Sequence, residues 1–100
     1  MVDVLDGHTQ LIPTHFVLNP NFPNPFNPST IITFSIPKQS HVTLRVYDVL
    51  GREVASLLDE TRPVGSYAVQ FDASRLPSGV YFYRWQAGEF VETKKMVLMR

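Results

Sequence analysis

The histidines and clustered acids are the most reactive side chains of this sequence, and their spacing decides what chemistry they could do. His8, His15 and His41 lack the i, i+2 or i, i+4 spacing that directs two imidazoles at one zinc ion. Asp3, Asp6 and His8 are close enough in sequence to hold calcium, but the run lacks the Gly and the terminal Glu of a calcium loop. We therefore expect no metal and no cofactor.

Catalysis by acids or nucleophiles has little support in the sequence. Asp59 and Glu60 are adjacent acids, and paired carboxylates act as acid and base in glycosidases, but neighbours in a polar segment are usually only solvated. Asp72 precedes Ala-Ser, where an acid typically closes a turn. No serine lies in a nucleophile-elbow motif, no phosphate loop or dinucleotide fingerprint is present, and there are no cysteines. The chain is predicted not to be an enzyme.

Aromatic side chains alternate along the run VYFYRWQA. Tyr81, Tyr83 and Trp85 share one face of the predicted strand, while Phe82 and Arg84 share the other. The three rings could form a platform that stacks on sugars, or they could fill the core of a domain that has no disulfides. We favour the core for this face and take Phe82 as the candidate for an exposed contact.

The last residues of the sequence pass from basic to apolar. They are Lys94, Lys95, Met96, Val97, Leu98, Met99 and Arg100. Because Met96–Met99 is apolar on both strand faces, it has the pattern of a central strand buried on both sides. It also fits a recognition element that another protein reads, for example through strand addition. The two interpretations are compatible.

Strand-length segments with alternating apolar residues lie between clusters of Pro and Gly. Six are predicted at residues 30–37, 41–48, 53–58, 65–71, 80–87 and 90–100, with a further short one at 16–18. Asp59–Val64 is predicted to be a loop, and no helical periodicity extends over ten residues. Short strands with turn signals about every 8–12 residues predict a sandwich or a barrel.

Proline and glycine mark the connections between these strands. Residues 19–28 contain four prolines and cannot form a helix, so we predict an extended entry segment anchored by Phe22 and Phe26. Its asparagines can close local turns with their side chains. The positions assigned to structural turns are Gly51, Gly65, Pro77, Gly79 and Gly88.

Composition restricts the class of protein further. A chain of 100 residues that is 44% apolar is sufficient for one domain with its own core. Nine basic residues balance nine acidic ones, which disfavours nucleic acid as a partner. The N-terminal stretch does not have the pattern of a signal peptide, and no run approaches the roughly 18 apolar residues of a membrane span. We expect a fragment whose export signal lies upstream.

Three segments, taken together, resemble a known family. NPNFPNPFNPSTIITFSIP resembles the opening of the C-terminal sorting domain of the type IX secretion system, and VTLRVYDVLGREVASLL resembles its central hairpin. YAVQFDASRLPSGVYFYRWQAGEFVETKKMVLMR is similar to its closing half. The resemblance covers residues 19–100, and residues 1–18 are predicted to be a linker or the end of an upstream cargo region. Trp85 departs from the family's pattern, which has a smaller aliphatic residue there.

The resemblance implies an all-β fold, an immunoglobulin-like antiparallel β-sandwich of about seven strands at the end of an exported bacterial protein. It implies a non-catalytic sorting signal that the outer-membrane translocon recognises and that a sortase-like peptidase removes. By this analogy Lys94–Arg100 is the recognition element. The cargo in the same chain would pass through the periplasm to be secreted or held at the outer-membrane surface, and contact with the outer-membrane machinery would be peripheral.

Two alternatives from other functional classes stay open at this point. A carbohydrate-binding module appended to an extracellular hydrolase would use Tyr83 and Trp85 as a sugar platform. A spacer or capping β-sandwich of an extracellular assembly would have neither a sorting nor a sugar-binding activity.

Overall fold

The alternating segments of the sequence form seven strands, which a computed structural model describes within residues 12–100. They are β1 (Val17–Leu18), β2 (Ser29–Ile36), β3 (Ser40–Tyr47), β4 (Glu53–Arg62), β5 (Gly65–Asp72), β6 (Gly79–Ala87) and β7 (Phe90–Leu98). β1 begins just before residue 19, where the resemblance starts, and it corresponds to the short strand predicted at 16–18. None of the described residues forms a helix long and apolar enough to cross a bilayer.

The strands form two antiparallel sheets that pack as a sandwich. One sheet has the order β1-β2-β5, and the other has the order β4-β3-β6-β7. The β2–β3, β4–β5 and β5–β6 connections cross between the sheets, as in immunoglobulin-like domains. Tyr81, near the start of β6, donates its hydroxyl to the carbonyl of Pro77 at 2.7 Å, and a tyrosine bonded to upstream backbone at this corner is a feature of that fold. The predicted fold class is confirmed.

The strand period of two places one face of each sheet in a shared core. Tyr81, Tyr83 and Trp85 of β6 are at most 4% exposed, so the preference for a core over a sugar platform is confirmed. The other large buried apolar side chains of the sandwich are Leu18, Phe26, Ile32, Phe34, Ile36, Val42, Leu44, Val46, Leu58, Phe71, Met96 and Leu98.

Trp85 lies in the middle of a chain of aromatic rings that connects the two sheets. Its ring centroid is 5.5 Å from that of Phe34 in β2 and 5.8 Å from that of Phe90 in β7. Phe34 in turn contacts Tyr67, and Phe90 contacts Phe16. The indole N–H of Trp85 has no hydrogen-bond partner among the described residues. Trp85 therefore stabilises the sandwich by packing, and its unpaired donor opposes that stabilisation by roughly 1–3 kcal/mol.

β4 is longer than the sequence indicated. Asp59–Arg62, predicted as a loop, continues the strand and pairs with Ser40–Thr43 of β3. The outermost position of β4 in the sheet leaves its polar side chains in solvent, and Asp59 Oδ1 lies 2.7 Å from His41 Nε2 across the pair. The loop prediction was wrong because the polarity of this segment reflects exposure at a sheet edge and not irregular backbone.

The proline-rich segment, residues 19–28, enters the fold beside β2 and ends beside β7. Phe26 is 2% exposed and anchors the segment, whereas Phe22 is 79% exposed, so the prediction that Phe22 is a second anchor was wrong. The Asn21 side chain donates to Thr30 Oγ1 of β2 at 3.0 Å. The asparagine amide therefore ties this segment to a neighbouring strand in addition to forming local contacts.

The predicted turn residues occupy two kinds of position. Gly51 lies between β3 and β4 at φ 83°, and Gly88 lies between β6 and β7 at φ 60°. A side chain would strain the backbone at these left-handed conformations. Gly65 and Gly79 are the first residues of β5 and β6, and Pro77 lies in the connection before β6.

Candidate functional site

β7 contains most of the predicted recognition residues, and it is an edge strand of the four-stranded sheet. It pairs with β6 on one side only, from Phe90 opposite Ala87 to Leu98 opposite Gly79. The interpretation of a central strand buried on both sides was therefore wrong. One face of the apolar run fills the core with Met96 and Leu98, while Val97 and Met99 on the other face are half-buried and exposed.

Two of the seven predicted residues belong to the core. Met96 and Leu98 are 0% and 1% exposed, and they lie opposite Tyr81 and Gly79 of β6. A partner that binds the folded domain cannot touch these side chains. Their contribution is to hold β7 in the sandwich.

The remaining residues of β7 and its end differ in how freely they face solvent. Lys94 Nζ lies 3.2 Å from the Glu92 carboxylate, so its charge is already partnered. Lys95 is exposed and has no acidic partner within the described part of the chain. Val97 is half-buried, and Met99 is 55% exposed. Among the seven predicted residues, Lys95, Val97 and Met99 therefore have outward side-chain surface that no ion pair within residues 12–100 occupies.

Arg100 fixes the connection between β5 and β6. Its Nη2 atom lies within hydrogen-bond distance of the carbonyl oxygens of Ala73 at 2.8 Å and Ser74 at 2.7 Å, and it also contacts the carbonyl of Leu76. These carbonyls have no strand partner, because they follow the end of β5. The guanidinium thus has a structural role that the sequence analysis did not anticipate.

Arg100→Met is expected to lower the free energy of unfolding by about 1–3 kcal/mol, because the carbonyls of the β5–β6 connection lose a charged donor. Lys95→Met is the matched control, since it removes a cation from an exposed position and should change stability by no more than about 0.5 kcal/mol. Urea unfolding of both variants makes the comparison. Equal stability of the two variants would contradict the structural role of Arg100.

The entry segment covers the outer edge of β7 at its end. The Val97 N–H donates to Asn24 Oδ1 at 3.0 Å, and the Val97 carbonyl accepts the Phe26 N–H at 2.9 Å. The Met99 N–H donates to the Phe26 carbonyl at 2.9 Å. Sequence reasoning missed this cover. The available signal was an asparagine in a proline-rich run, since the asparagine side-chain oxygen can accept from a backbone N–H of another strand.

The first half of the same edge is uncovered. In an antiparallel pair successive residues direct their backbone groups alternately toward and away from the partner strand. The backbone groups of Val97 and Met99 bond to the entry segment and therefore point away from β6. By this alternation the backbone groups of Val91, Thr93 and Lys95 point away from β6 as well. Among residues 12–100, nothing bonds the outward N–H and C=O groups of these three residues. We call this set, Val91, Thr93 and Lys95, the open edge.

Phe82, the predicted exposed contact, lies on the outer face of the four-stranded sheet. It is paired with Lys95 on one side and Tyr47 on the other, and it is half-buried between them. Arg84 is the next outward residue of β6; it is exposed and lies opposite Thr93. The outer face beside the open edge therefore combines aromatic rings with basic side chains.

The remaining chemical candidates form no site in the described residues. Tyr83 is completely buried, and burial raises the pKa of its phenol, so a sugar platform on this face is excluded. Within residues 12–100 no group of three or more histidines or acids is arranged to hold a metal ion. Asp3, Asp6 and His8 lie outside the described residues.

A shallow cavity of about 410 Å³ lies between the β3–β4 turn and the start of β6. Val49 and Leu50 at its rim are 66% and 75% exposed. The backbone N–H and the side chain of Arg52 donate to the Asp48 carboxylate and hold the pKa of Asp48 below its usual range. These bonds fix the turn, because they hold the Asp48 carboxylate and the Arg52 side chain to each other.

Comparison with known proteins places this arrangement in a family. The family model described as "Secretion system C-terminal sorting domain" matches residues 21–99. No curated protein matches the chain, and no solved structure does either. The matched residues include most of the proline-rich segment and the strands β2 to β7. The chain therefore belongs to the C-terminal sorting domains of the type IX secretion system.

Proposed function

We propose that the outward residues of β7 are the part of this domain that the type IX translocon recognises. Membership of the family makes the domain a sorting signal for export, with a secreted or cell-surface fate for the protein that carries it. The observation that supports the finer assignment is that β7 is an edge strand whose outer side is only half covered. Lys95 lies on the uncovered half, and Val97 and Met99 follow it along the covered half with their side chains on the same outer face. The domain itself performs no catalysis.

The two ends of β7 suit different tasks. Phe90, at its start, contacts Phe16, which immediately precedes β1. Met99 follows its other end, about 30 Å away for a strand of this length. A cargo region joined before β1 would therefore lie at the far end of the sandwich from Met99. This separation leaves the recognition residues accessible while the cargo stays folded.

The segment before β1 suits the removal of the domain by a sortase-like peptidase. Ile12 is 68% exposed, and Thr14 and His15 are exposed as well. Cleavage there would release the cargo without cutting a strand of the sandwich. In this proposal the cargo reaches the translocon from the periplasm and is separated from the sorting domain at the outer membrane.

A double variant that alters only exposed residues tests the assignment. In a cargo protein that carries this domain, Lys95→Glu with Met99→Ser is expected to leave the cargo in the periplasm and to reduce the secreted fraction at least about tenfold. Both side chains are exposed, so the domain should stay folded with a stability change of no more than about 1 kcal/mol for the two together. Fractionation of the periplasm and medium measures export, and thermal unfolding of the purified domain measures stability.

Lys38→Glu with Val64→Ser is the matched control, because it makes the same change of charge and a similar loss of apolar surface elsewhere. Both residues are exposed and lie outside β7. The control should be secreted normally. Normal secretion of the Lys95/Met99 variant would overturn the assignment, and equal loss in both variants would point to a general sensitivity to surface charge.

A further inference from the structure

We propose that the open edge of β7 binds an extended acidic segment of the export machinery as an added strand. This inference rests on the proposed function, because it names the chemistry of the partner that recognises β7. The open edge comprises the outward backbone groups of Val91, Thr93 and Lys95. An added strand would satisfy these groups and extend the four-stranded sheet by one member.

The domain itself already uses this edge for backbone pairing, at a single bridge residue of the entry segment. Phe26 pairs with Leu98 in a parallel bridge, with two backbone hydrogen bonds of 2.9 Å to Val97 and Met99. The uncovered positions continue the same line of donors and acceptors toward Phe90. β7 pairs with β6 without a register shift over its whole length, so the edge is regular enough to template another strand.

Charge selects an acidic occupant. Arg84 and Lys95 are exposed on the outer face, and neither lies within 4.0 Å of a carboxylate of the described residues. Arg84 is opposite Thr93, and Lys95 belongs to the open edge itself. A strand added beside β7 would place alternate side chains on this face, directly opposite Thr93 and Lys95. Carboxylates at those positions are within reach of both basic side chains.

The other long edges are less suited to an acidic strand. β4 has two register shifts against β3, and its acids Glu53, Asp59 and Glu60 already pair with Arg45 and Arg62. Within the described residues this edge therefore has no unpaired cation for an acidic strand. β5 is regular, but its outward side chains Ser66, Ala68 and Gln70 include no cation. β7 is therefore the edge at which backbone pairing and charge favour the same partner.

Peptide binding to the 100-residue chain tests the inference directly. The probe is a nine-residue peptide in which Glu alternates with Thr, and its control contains Lys in place of Glu. We expect the Glu peptide to bind at millimolar concentration and to slow amide hydrogen exchange at Thr93 and Lys95. The Lys peptide should bind at least about fivefold more weakly, as expected for two cross-strand charge pairs.

Two proline variants distinguish backbone N–H groups that point away from β6 from those that point toward it. Thr93→Pro removes an outward N–H and should leave the sandwich folded, because proline is tolerated on the open side of an edge strand. Lys94→Pro removes an N–H directed at Tyr83 of β6 and should destabilise the domain. We expect Thr93→Pro to bind the Glu peptide at least about tenfold more weakly while keeping its melting temperature within a few degrees of the parent.

If Thr93→Pro unfolds, the double variant Arg84→Glu with Lys95→Glu tests the inference in its place. This variant should bind the Lys peptide more tightly than the Glu peptide. Absence of binding by the Glu peptide, equal binding of both peptides, or protection at β5 in place of β7 would overturn the inference. The inference would also be overturned if the domain bound anionic lipid vesicles as strongly as the Glu peptide and Thr93→Pro left the binding to vesicles unchanged. Export can still fail in the Lys95/Met99 variant in each of these cases, so the proposed function is judged separately.

Discussion

Trp85→Ala is expected to lower the free energy of unfolding by about 3–5 kcal/mol, the range for removal of a large aromatic ring from a core. Trp85 is 0% exposed and contacts aromatic rings on both sides, so the cavity would open at the centre of the sandwich. A 100-residue domain loses roughly 4–8 °C of melting temperature per kcal/mol, which predicts a drop of at least about 12 °C. Thermal unfolding followed by near-ultraviolet circular dichroism measures it.

Two variants make this result specific to packing. Phe22→Ala removes an aromatic ring that is 79% exposed and should change stability by no more than about 0.5 kcal/mol. Trp85→Phe keeps a ring in the core and removes the unpaired indole N–H, so its cost should be well below that of Trp85→Ala. A Trp85→Ala domain as stable as the parent would mean that the ring does not fill the core.

The strands and the core face of β6 were predictable because they depend on local information. Apolar residues at every second position, in segments bounded by Pro and Gly, can be recognised in the sequence itself. This pattern assigned Tyr81, Tyr83 and Trp85 to one buried face. The same reasoning was wrong for Asp59–Arg62, since polar residues on an edge strand have the composition of a loop. Whether a strand lies at the edge of a sheet depends on its neighbours in space. The alternation of apolar and polar residues carries no information about these neighbours.

The candidate site was predictable only in outline for the same reason. The sequence indicated Lys94–Arg100, but it could not separate Met96 and Leu98, which fill the core, from Lys95 and Met99, which face solvent. Arg100 bonds to backbone about 25 residues earlier in the chain, and Asn24 bonds to Val97 more than 70 residues later. Such contacts are set by how the sheets stack. They had no local signature in the sequence.

The division of β7 into core and outward residues changes what a truncation can reveal. Deletion of residues 96–100 removes Met96 and Leu98, and each buried side chain of this size contributes about 2–5 kcal/mol. The combined loss of about 4–10 kcal/mol is comparable to the 5–15 kcal/mol that holds a typical domain folded. We expect the truncated domain to be largely unfolded, with loss of near-ultraviolet circular dichroism and with exchange of most amides within seconds.

A shorter deletion separates recognition from folding. Removal of residues 99–100 keeps Met96 and Leu98 in the core and costs one backbone bond to Phe26 together with the Arg100 contacts, about 2–4 kcal/mol in all. This domain should remain folded at 25 °C while its cargo accumulates in the periplasm, because Met99 is lost from the outward side of β7. If the shorter deletion is secreted normally and only the longer one fails, export requires the folded sandwich, and Met99 has no part in its recognition.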